Sequence, residues 1–314
     1  LKNIRAGVIG VGAMGNHHAR IYSELRDVEL VGVADINTRL AAEIASKYNT
    51  EAFDNCEHLL KRDLDAVSIA VPTSRHKEIA LKVVNHGVHM LMEKPIADSL
   101  DSADVIIDAV RRENLKLMIG HIERFNPAIL KLKDLISAGK LGQVLSISCR
   151  RVGPYPPRIR DVGVIIDLAV HDIDAISYLY GERAKNVYAI GGNSFHIKED
   201  HASIILRYAD NKSGVVETNW LTPHKIRKLT VTGTEGVAHA DYLEQSLEIW
   251  REGEVIEVQI EKREPLKNEL ELFLHAIAND EEPSPSGEEG KSTLLVALSA
   301  IKSYETGKSL LLNA

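Results

Sequence analysis

Cysteine is nearly absent: Cys56 and Cys149 are the only two in 314 residues, far apart and outside any Cys-x-x-Cys spacing. That excludes a disulfide framework and a thiolate zinc site, and it fits a reducing compartment. An excess of basic charge is missing too. Thirty-eight Lys and Arg face 45 Asp and Glu, a formal charge of -7, so nucleic acid is not an expected partner. Long apolar runs are lacking. The strongest near the N-terminus, Val8 to Met14, is far too short to span a bilayer and has no signal-peptide cleavage pattern, so the expectation is a cytoplasmic protein with no membrane partner. Internal repeats and low-complexity tracts are absent as well. What remains is average soluble composition, 44% hydrophobic and 26% charged, in a length that predicts about two domains.

From Ile4 to about Gly120, short β-branched runs alternate with helical periodicity, the pattern of a parallel sheet covered by helices. Arg5–Ile9, Glu29–Ala34, Ala66–Ala70, Val88–Met92 and Lys116–Ile119 read as strands. Gly15–Leu25, Asn37–Lys47, Ser74–Asn85 and Asp101–Glu113 read as helices, with apolar residues three and four apart as at Ile79, Val83 and Val84. The fold class predicted for this part is α/β, a doubly wound parallel sheet. Beyond Gly120 the pattern changes to α+β. Helices near Pro127–Ala138 and Asp167–Tyr180 flank a long strand, Gln143–Val152, and a series of strands follows: Asn186–Gly192, Ala202–Tyr208, Gly214–Trp220, Ile226–Gly233, Val237–Asp241, Leu247–Arg251 and Val255–Glu261. Turns such as Arg251-Glu252-Gly253-Glu254 favour antiparallel neighbours, hence one large, mostly antiparallel sheet. Two helices, Pro265–Ala278 and Gly290–Glu305, close the chain. The expected domains are 1–122, dinucleotide-binding, and 123–314, for substrate binding and oligomerisation, with packing of the last helix back on the first domain as an alternative.

Four motifs carry chemistry. Gly10-Val11-Gly12-Ala13-Met14-Gly15 lies directly between a strand and a helix. In that context Gly10 permits a tight turn, Gly12 lets backbone approach a pyrophosphate, and Gly15 lets the helix pack close to the sheet, and the N-terminus of that helix favours phosphate. Asp35 ends the next strand 20 residues beyond Gly15, where a carboxylate can accept hydrogen bonds from a ribose diol. Its charge would repel a 2′-phosphate, so NAD is expected over NADP. Pro72, Thr73 and His76 form a strand-to-helix loop where ligands bind in such sheets; a helix cap by Thr73 or Ser74 explains part of the same pattern. Glu93-Lys94-Pro95 follows another buried strand, placing a lysine to polarise a hydroxyl or carbonyl, with a solvent-facing lysine as the alternative. Asp167 and His171, four apart on an otherwise apolar helix, share a face where the acid can orient the ring. A structural hydrogen bond is the alternative there. No metal is expected, because neither His-x-x-x-His nor a Cys cluster supplies further ligands.

Together with Arg124-Phe125-Asn126-Pro127, these motifs appear in the order and spacing of the glucose-fructose oxidoreductase, inositol dehydrogenase and MocA family, which the whole chain resembles. The resemblance implies NAD(P)-dependent sugar oxidation. It assigns Lys94, Asp167 and His171 to the catalytic site and Gly10, Gly12, Gly15 and Asp35 to the dinucleotide, with Ala13, Met14, Pro72, Thr73, His76, Glu93 and Lys94 as further cofactor contacts. Within the family, the Arg-rich stretch 150–160 and Gly120–Pro127 are most similar to the nucleotide-sugar 3-dehydrogenases, those oxidising UDP-N-acetylglucosamine at C3. Arg124, Arg151, Tyr155 and Arg158, with Lys94, Asp167 and His171, are then the expected contacts to an anionic nucleotide-sugar. A solvated basic loop is the alternative for the arginines. Competing functions are a dehydrogenase of a free sugar or cyclitol such as inositol, and a non-catalytic dinucleotide sensor. The family also implies a homodimer or homotetramer through the second domain's sheet.

Overall fold

Strands and helices alternate strictly through the first part of the chain in the computed structural model, which describes residues 3–157 and 162–312. The order is β1 (Ile4–Ile9), α1 (Ala13–Glu24), β2 (Val28–Ala34), α2 (Thr38–Tyr48), β3 (Glu51–Phe53), α3 (Cys56–Leu60), β4 (Ala66–Ile69), α4 (His76–Asn85), β5 (His89–Glu93), α5 (Leu100–Arg112) and β6 (Leu117–Gly120). All six strands are parallel, in the order β3-β2-β1-β4-β5-β6. Strand order reverses between β1 and β4, and the crevice outside the carboxyl ends of these strands is where such sheets take ligands. β4 and β6 are buried throughout, as central strands covered on both faces must be. Local signals set the helix ends: Asn37 accepts a hydrogen bond from the Leu40 N–H, Ser99 accepts one from Ser102, and Asn49 closes α2 in the left-handed conformation. The three-residue β3 and five-residue α3, too short to show periodicity, are additions to the expected elements.

The remaining elements are α6 (Pro127–Ser137), β7 (Val144–Pro154), α7 (Val170–Tyr180), β8 (Asn186–Gly192), β9 (His201–Arg207), β10 (Ser213–Asn219), β11 (Leu221–Gly233), β12 (Gly236–Asp241), β13 (Ser246–Arg251), β14 (Glu254–Glu257), α8 (Pro265–Ala278), α9 (Gly287–Thr306) and β15 (Leu310–Leu311). Nine strands form one sheet in the order β14-β13-β12-β11-β7-β10-β9-β8-β15, antiparallel except where β10 runs parallel to β7. The chain divides into two compact units, Leu1–His121 with Leu266–Lys291, and Ile122–Pro265 with Ser292–Ala314. Beyond the expected boundary near residue 122, the start of the last helix, α9, belongs to the first unit, and α8 joins it there. There the Ile119 N–H donates to the Pro285 carbonyl, and Lys116 pairs with Asp280 and Glu282.

In the second unit, helices α6 and α7 cover one face of the large sheet. Alternation follows: Ala202, Ile204 and Leu206 of β9 are buried while Ser203, Ile205 and Arg207 are exposed. On the open face Tyr188, Ile205 and Val215 stand in register across β8, β9 and β10. The covered face buries charge as well as hydrocarbon. Arg151, 2% exposed, donates from Nε and Nη2 to both oxygens of Asp172 on α7 and from Nη1 to Glu123, and its guanidinium lies 4.9 Å from the Tyr242 ring centre. Arg124 makes the same two-pronged contact with Asp174, at 2.7 Å through each nitrogen. Burial opposes the charge on Arg151, but Asp172 and Glu123 outweigh it and hold the guanidinium protonated. Removing one partner of such a cluster leaves an uncompensated buried charge. Arg151→Met should therefore cost about 3–5 kcal/mol of stability, whereas Arg150→Met, which breaks only the exposed pair with Glu217, should cost about 1 kcal/mol or less; urea unfolding midpoints check the difference.

Candidate active site

The carboxyl edge of the parallel sheet collects the predicted dinucleotide residues. Gly10 has φ of +84°, and a Cβ there would lie 2.8 Å from the Ala70 carbonyl oxygen. At Gly15 a Cβ would fall 1.8 Å from the Gly10 carbonyl oxygen, so α1 comes as close to the turn as bare backbone allows. Gly12 is different: nothing lies within 4 Å of the position its Cβ would take. The glycine cap of α1 carries no side-chain hydrogen bond, and the first N–H groups of a helix have no intrahelical partner. Open space beside such N–H groups fits a pyrophosphate, which supplies acceptors and negative charge. Asp35 accepts the Val11 N–H at 2.8 Å on one oxygen and the Asn37 N–H at 2.8 Å on the other, tying the glycine turn to the end of β2. Two backbone bonds leave that carboxylate acceptor capacity for a ribose diol. Ile36, the next residue, is 92% exposed.

Farther along the edge, Pro72 and Thr73 lead into a 3₁₀ turn, Thr73–Arg75, before α4. Neither that turn nor α4 has a side-chain cap, so the capping alternative for Thr73 and Ser74 is not realised. His76 is fully buried, with Nδ1 3.0 Å from the Pro95 carbonyl oxygen and Nε2 3.0 Å from that of Val71. Its ring joins the loop after β4 to the segment after β5. Burial pushes the imidazole below its ordinary range, though both ring nitrogens face carbonyl acceptors. The cofactor contact expected of His76 is thus corrected: the ring's polar atoms are committed to backbone. Glu93 and Lys94 follow at the end of β5, and the Lys94–Pro95 bond is cis.

One set of residues here escaped the sequence reading. His18 and Tyr22 lie on the buried stripe of α1, and both reach Ser68 of β4: His18 Nδ1 at 2.9 Å and Tyr22 Oη at 2.8 Å from Oγ. The other ring nitrogen of His18 lies 3.0 Å from Glu93 Oε1. A serine inside Ala66-Val67-Ser68-Ile69 and a histidine on an apolar helix face were the available signals, since buried polar groups require partners.

The second unit holds the other predicted residues. Asp167 is buried in a π-helical turn, Ile165–Ala169, that runs directly into α7, whose second residue is His171. A regular α-helix beginning at Asp167 was expected. The wider turn is the correction, and such turns occur frequently at functional sites. Glu199 caps this turn: its carboxylate accepts the Ile165 N–H, its carbonyl accepts that of Val164, and a Cβ at Gly163 would sit 2.0 Å from its carboxyl carbon. Beside it Asp200, fully buried, accepts the Ser194 and Phe195 N–H groups and bonds the His201 ring. In the same loop, His196 stacks on Tyr155 with ring centres 3.8 Å apart, and Trp220 meets both edge-on. Arg158 lies outside the described residues. Arg124 and Arg151 are corrected as substrate contacts, because each is buried and already holds carboxylates in a two-pronged grip.

Comparison with known proteins agrees with this geometry. Residues 4–121 match the oxidoreductase family with the NAD-binding Rossmann fold, and residues 129–239 match the GFO/IDH/MocA C-terminal domain. The chain belongs to this family. It is 33% identical over 306 residues to the UDP-N-acetylglucosamine 3-dehydrogenase of Acidithiobacillus ferrooxidans, covering 94% of this chain and 96% of that one. A crystal structure of that enzyme superposes with a TM-score of 0.90 over 98% of this chain and 99% of that one. The myo-inositol 2-dehydrogenase of Thermotoga maritima is 28% identical, covering 98% of each. The protein is an NAD-binding oxidoreductase of the GFO/IDH/MocA family, and the sensor alternative is set aside.

Two measurements follow. Gly15→Ala should destabilise the fold by about 1–3 kcal/mol through overpacking. Gly12→Ala should leave the melting temperature in place yet weaken NAD binding about tenfold or more, equivalent to about 1.4 kcal/mol, by filling the space the pyrophosphate needs; calorimetry separates the two. The second concerns acid. Burial raises the Asp200 carboxyl, but the hydrogen bond from His201 and the two N–H groups prevail and hold it below its usual range. A depressed folded value contributes stability above the unfolded value of about 3.9 and loses it as pH falls through the folded one. Asp200→Asn should therefore be less stable than wild type at pH 7, with the gap narrowing below about pH 4, as melting curves at pH 7, 5 and 3 would register.

Proposed function

We propose that this oxidoreductase removes a hydride from a secondary hydroxyl-bearing carbon of a nucleotide-activated sugar, C3 of UDP-N-acetylglucosamine. The observation that carries this reading is the end-to-end similarity to the Acidithiobacillus UDP-N-acetylglucosamine 3-dehydrogenase. NAD supplies the hydride acceptor when bound. His171 takes the hydroxyl proton, Asp167 orients its ring, and Lys94 holds the reacting oxygen. The π turn and its Glu199 cap fix Asp167 in place, which suits a group that must keep one direction. With Arg124 and Arg151 committed to carboxylates, recognition of the diphosphate is assigned to Arg158, and Tyr155 contributes an aromatic surface beside it in sequence.

A second reading is oxidation of a free cyclitol. The similarity to myo-inositol 2-dehydrogenase supports it, and the loss of two arginines from the expected anion contacts favours it further. NADH absorbance with UDP-N-acetylglucosamine and with myo-inositol separates the two. Turnover of the nucleotide-sugar alone, a raised KM in Arg158→Ala, and a fall in kcat of about 10²–10⁴-fold in Lys94→Ala and His171→Ala are expected. Turnover of inositol alone transfers the assignment to the cyclitol reading.

A further inference from the structure

Arg227 is a cation on the covered face of the large sheet that the proposed reaction does not use. It stands on β11 directly opposite Arg151 of β7, and residues opposite each other in an antiparallel pair point to the same face. Arg151 is fully committed: buried, it grips both oxygens of Asp172 and donates from Nη1 to Glu123 Oε1 at 2.7 Å. Arg227 approaches only that same oxygen. Its Nη1 lies 3.7 Å away, beyond hydrogen-bonding distance, and 32% of its side chain is exposed. Among the described residues its guanidinium makes no hydrogen bond. A planar fork of N–H donors is thus left open at the edge of a buried ionic cluster. The fork is close to the proposed base, because Asp172, which Arg151 holds, directly follows His171 in α7. Just before Arg227, β11 departs from its register: residues 222–225 stand opposite Gly153 alone, between the pairs Leu221 with Pro154 and Ile226 with Val152. Bulges re-aim neighbouring side chains and are over-represented beside active sites.

We propose that Arg227 is a substrate-binding residue that sets specificity for an anion: its open guanidinium edge takes the diphosphate of the nucleotide-sugar, on the sheet face where α7 carries His171. The inference rests on the nucleotide-sugar reading and gives it a contact besides Arg158. Like charges directly opposite across two strands repel, and Asp172 and Glu123 make their close contacts with Arg151. Burial and the Arg151 charge push the Arg227 guanidinium below its ordinary range in spite of Glu123, Asp172 and Asp167. A phosphate against the fork supplies the acceptor that the protein withholds, and the two-pronged, charge-assisted bond is the strong form of that contact. A neutral cyclitol supplies no such charge, so the two readings of the substrate part at this residue.

The test is calorimetric binding of inorganic diphosphate, UDP and uridine to the full chain saturated with NAD, so that the dinucleotide site is already filled. Arg227→Met should weaken diphosphate and UDP by about tenfold or more, the loss expected for hydrogen bonds between charged groups, and leave uridine unchanged. Arg150→Met, which removes only the exposed pair with Glu217, should bind all three as wild type does. With UDP-N-acetylglucosamine as substrate, Arg227→Met should raise KM by a similar factor and leave kcat near wild type, because the diphosphate is held equally before and during hydride transfer. Should Arg227→Met fail to fold, Arg227→Lys keeps the charge beside Glu123 and removes the fork, with a smaller loss of the same two ligands expected. A folded Arg227→Met protein, or in its place a folded Arg227→Lys protein, that binds diphosphate and UDP as wild type does overturns the inference. So does a wild-type protein that binds neither. Binding of diphosphate through Arg227 without oxidation of any nucleotide-sugar leaves the inference standing and overturns the proposed function; turnover of UDP-N-acetylglucosamine with an unaltered KM in Arg227→Met does the reverse.

Discussion

Hydrogen bonds between separate loops at the carboxyl edge of the parallel sheet are the constraint on which the dinucleotide end depends. Strand pairing aligns β1, β2, β4 and β5, but pairing stops where the strands stop, and the predicted ligand residues lie just beyond. Three side chains extend the order outward. Asp35 fastens the glycine turn to the end of β2, His76 fastens the loop after β4 to the segment after β5, and His18 fastens α1 to Glu93. Each satisfies buried polar atoms that would otherwise cost free energy, so loop position and polar satisfaction are secured together.

The second unit uses the same economy with full charges. Arg151 and Arg124 each fill a two-pronged carboxylate contact on the covered face of the large sheet, and both carboxylates come from α7, the helix that carries His171. Breaking either pair would release the helix on which the proposed base stands. Charge that looks like ligand-binding capacity along the chain is, in the folded unit, the means of orienting a helix.

Much of this was legible in the sequence, for identifiable reasons. The parallel sheet appears as β-branched runs spaced by amphipathic helices, and the glycine turn as three glycines, of which Gly10 and Gly15 lie so close to backbone that a Cβ would collide with it. The large antiparallel sheet announces itself through alternation and turn residues. Short elements such as β3 and α3 carry too few residues for a period to register. The π turn around Asp167 escaped because the residues on both sides of it, from Val164 to Val170, are apolar, so no polar–apolar period exists there for an extra residue to shift.

Polar partners divide most cleanly between the two levels. An arginine in the sequence has a charge and a reach but no visible partner; Asp172 lies 21 residues from Arg151, and Asp174 lies 50 from Arg124. His76 and His18 were equally ambiguous until backbone carbonyls and Glu93 stood opposite them. By itself the sequence determined the class of fold, the glycine turn and the family, because these follow from local spacing and from order along the chain. Only tertiary structure decided which charged side chains serve the protein's own interior, because hydrogen bonds form between atoms brought within about 3 Å and sequence distance does not measure that.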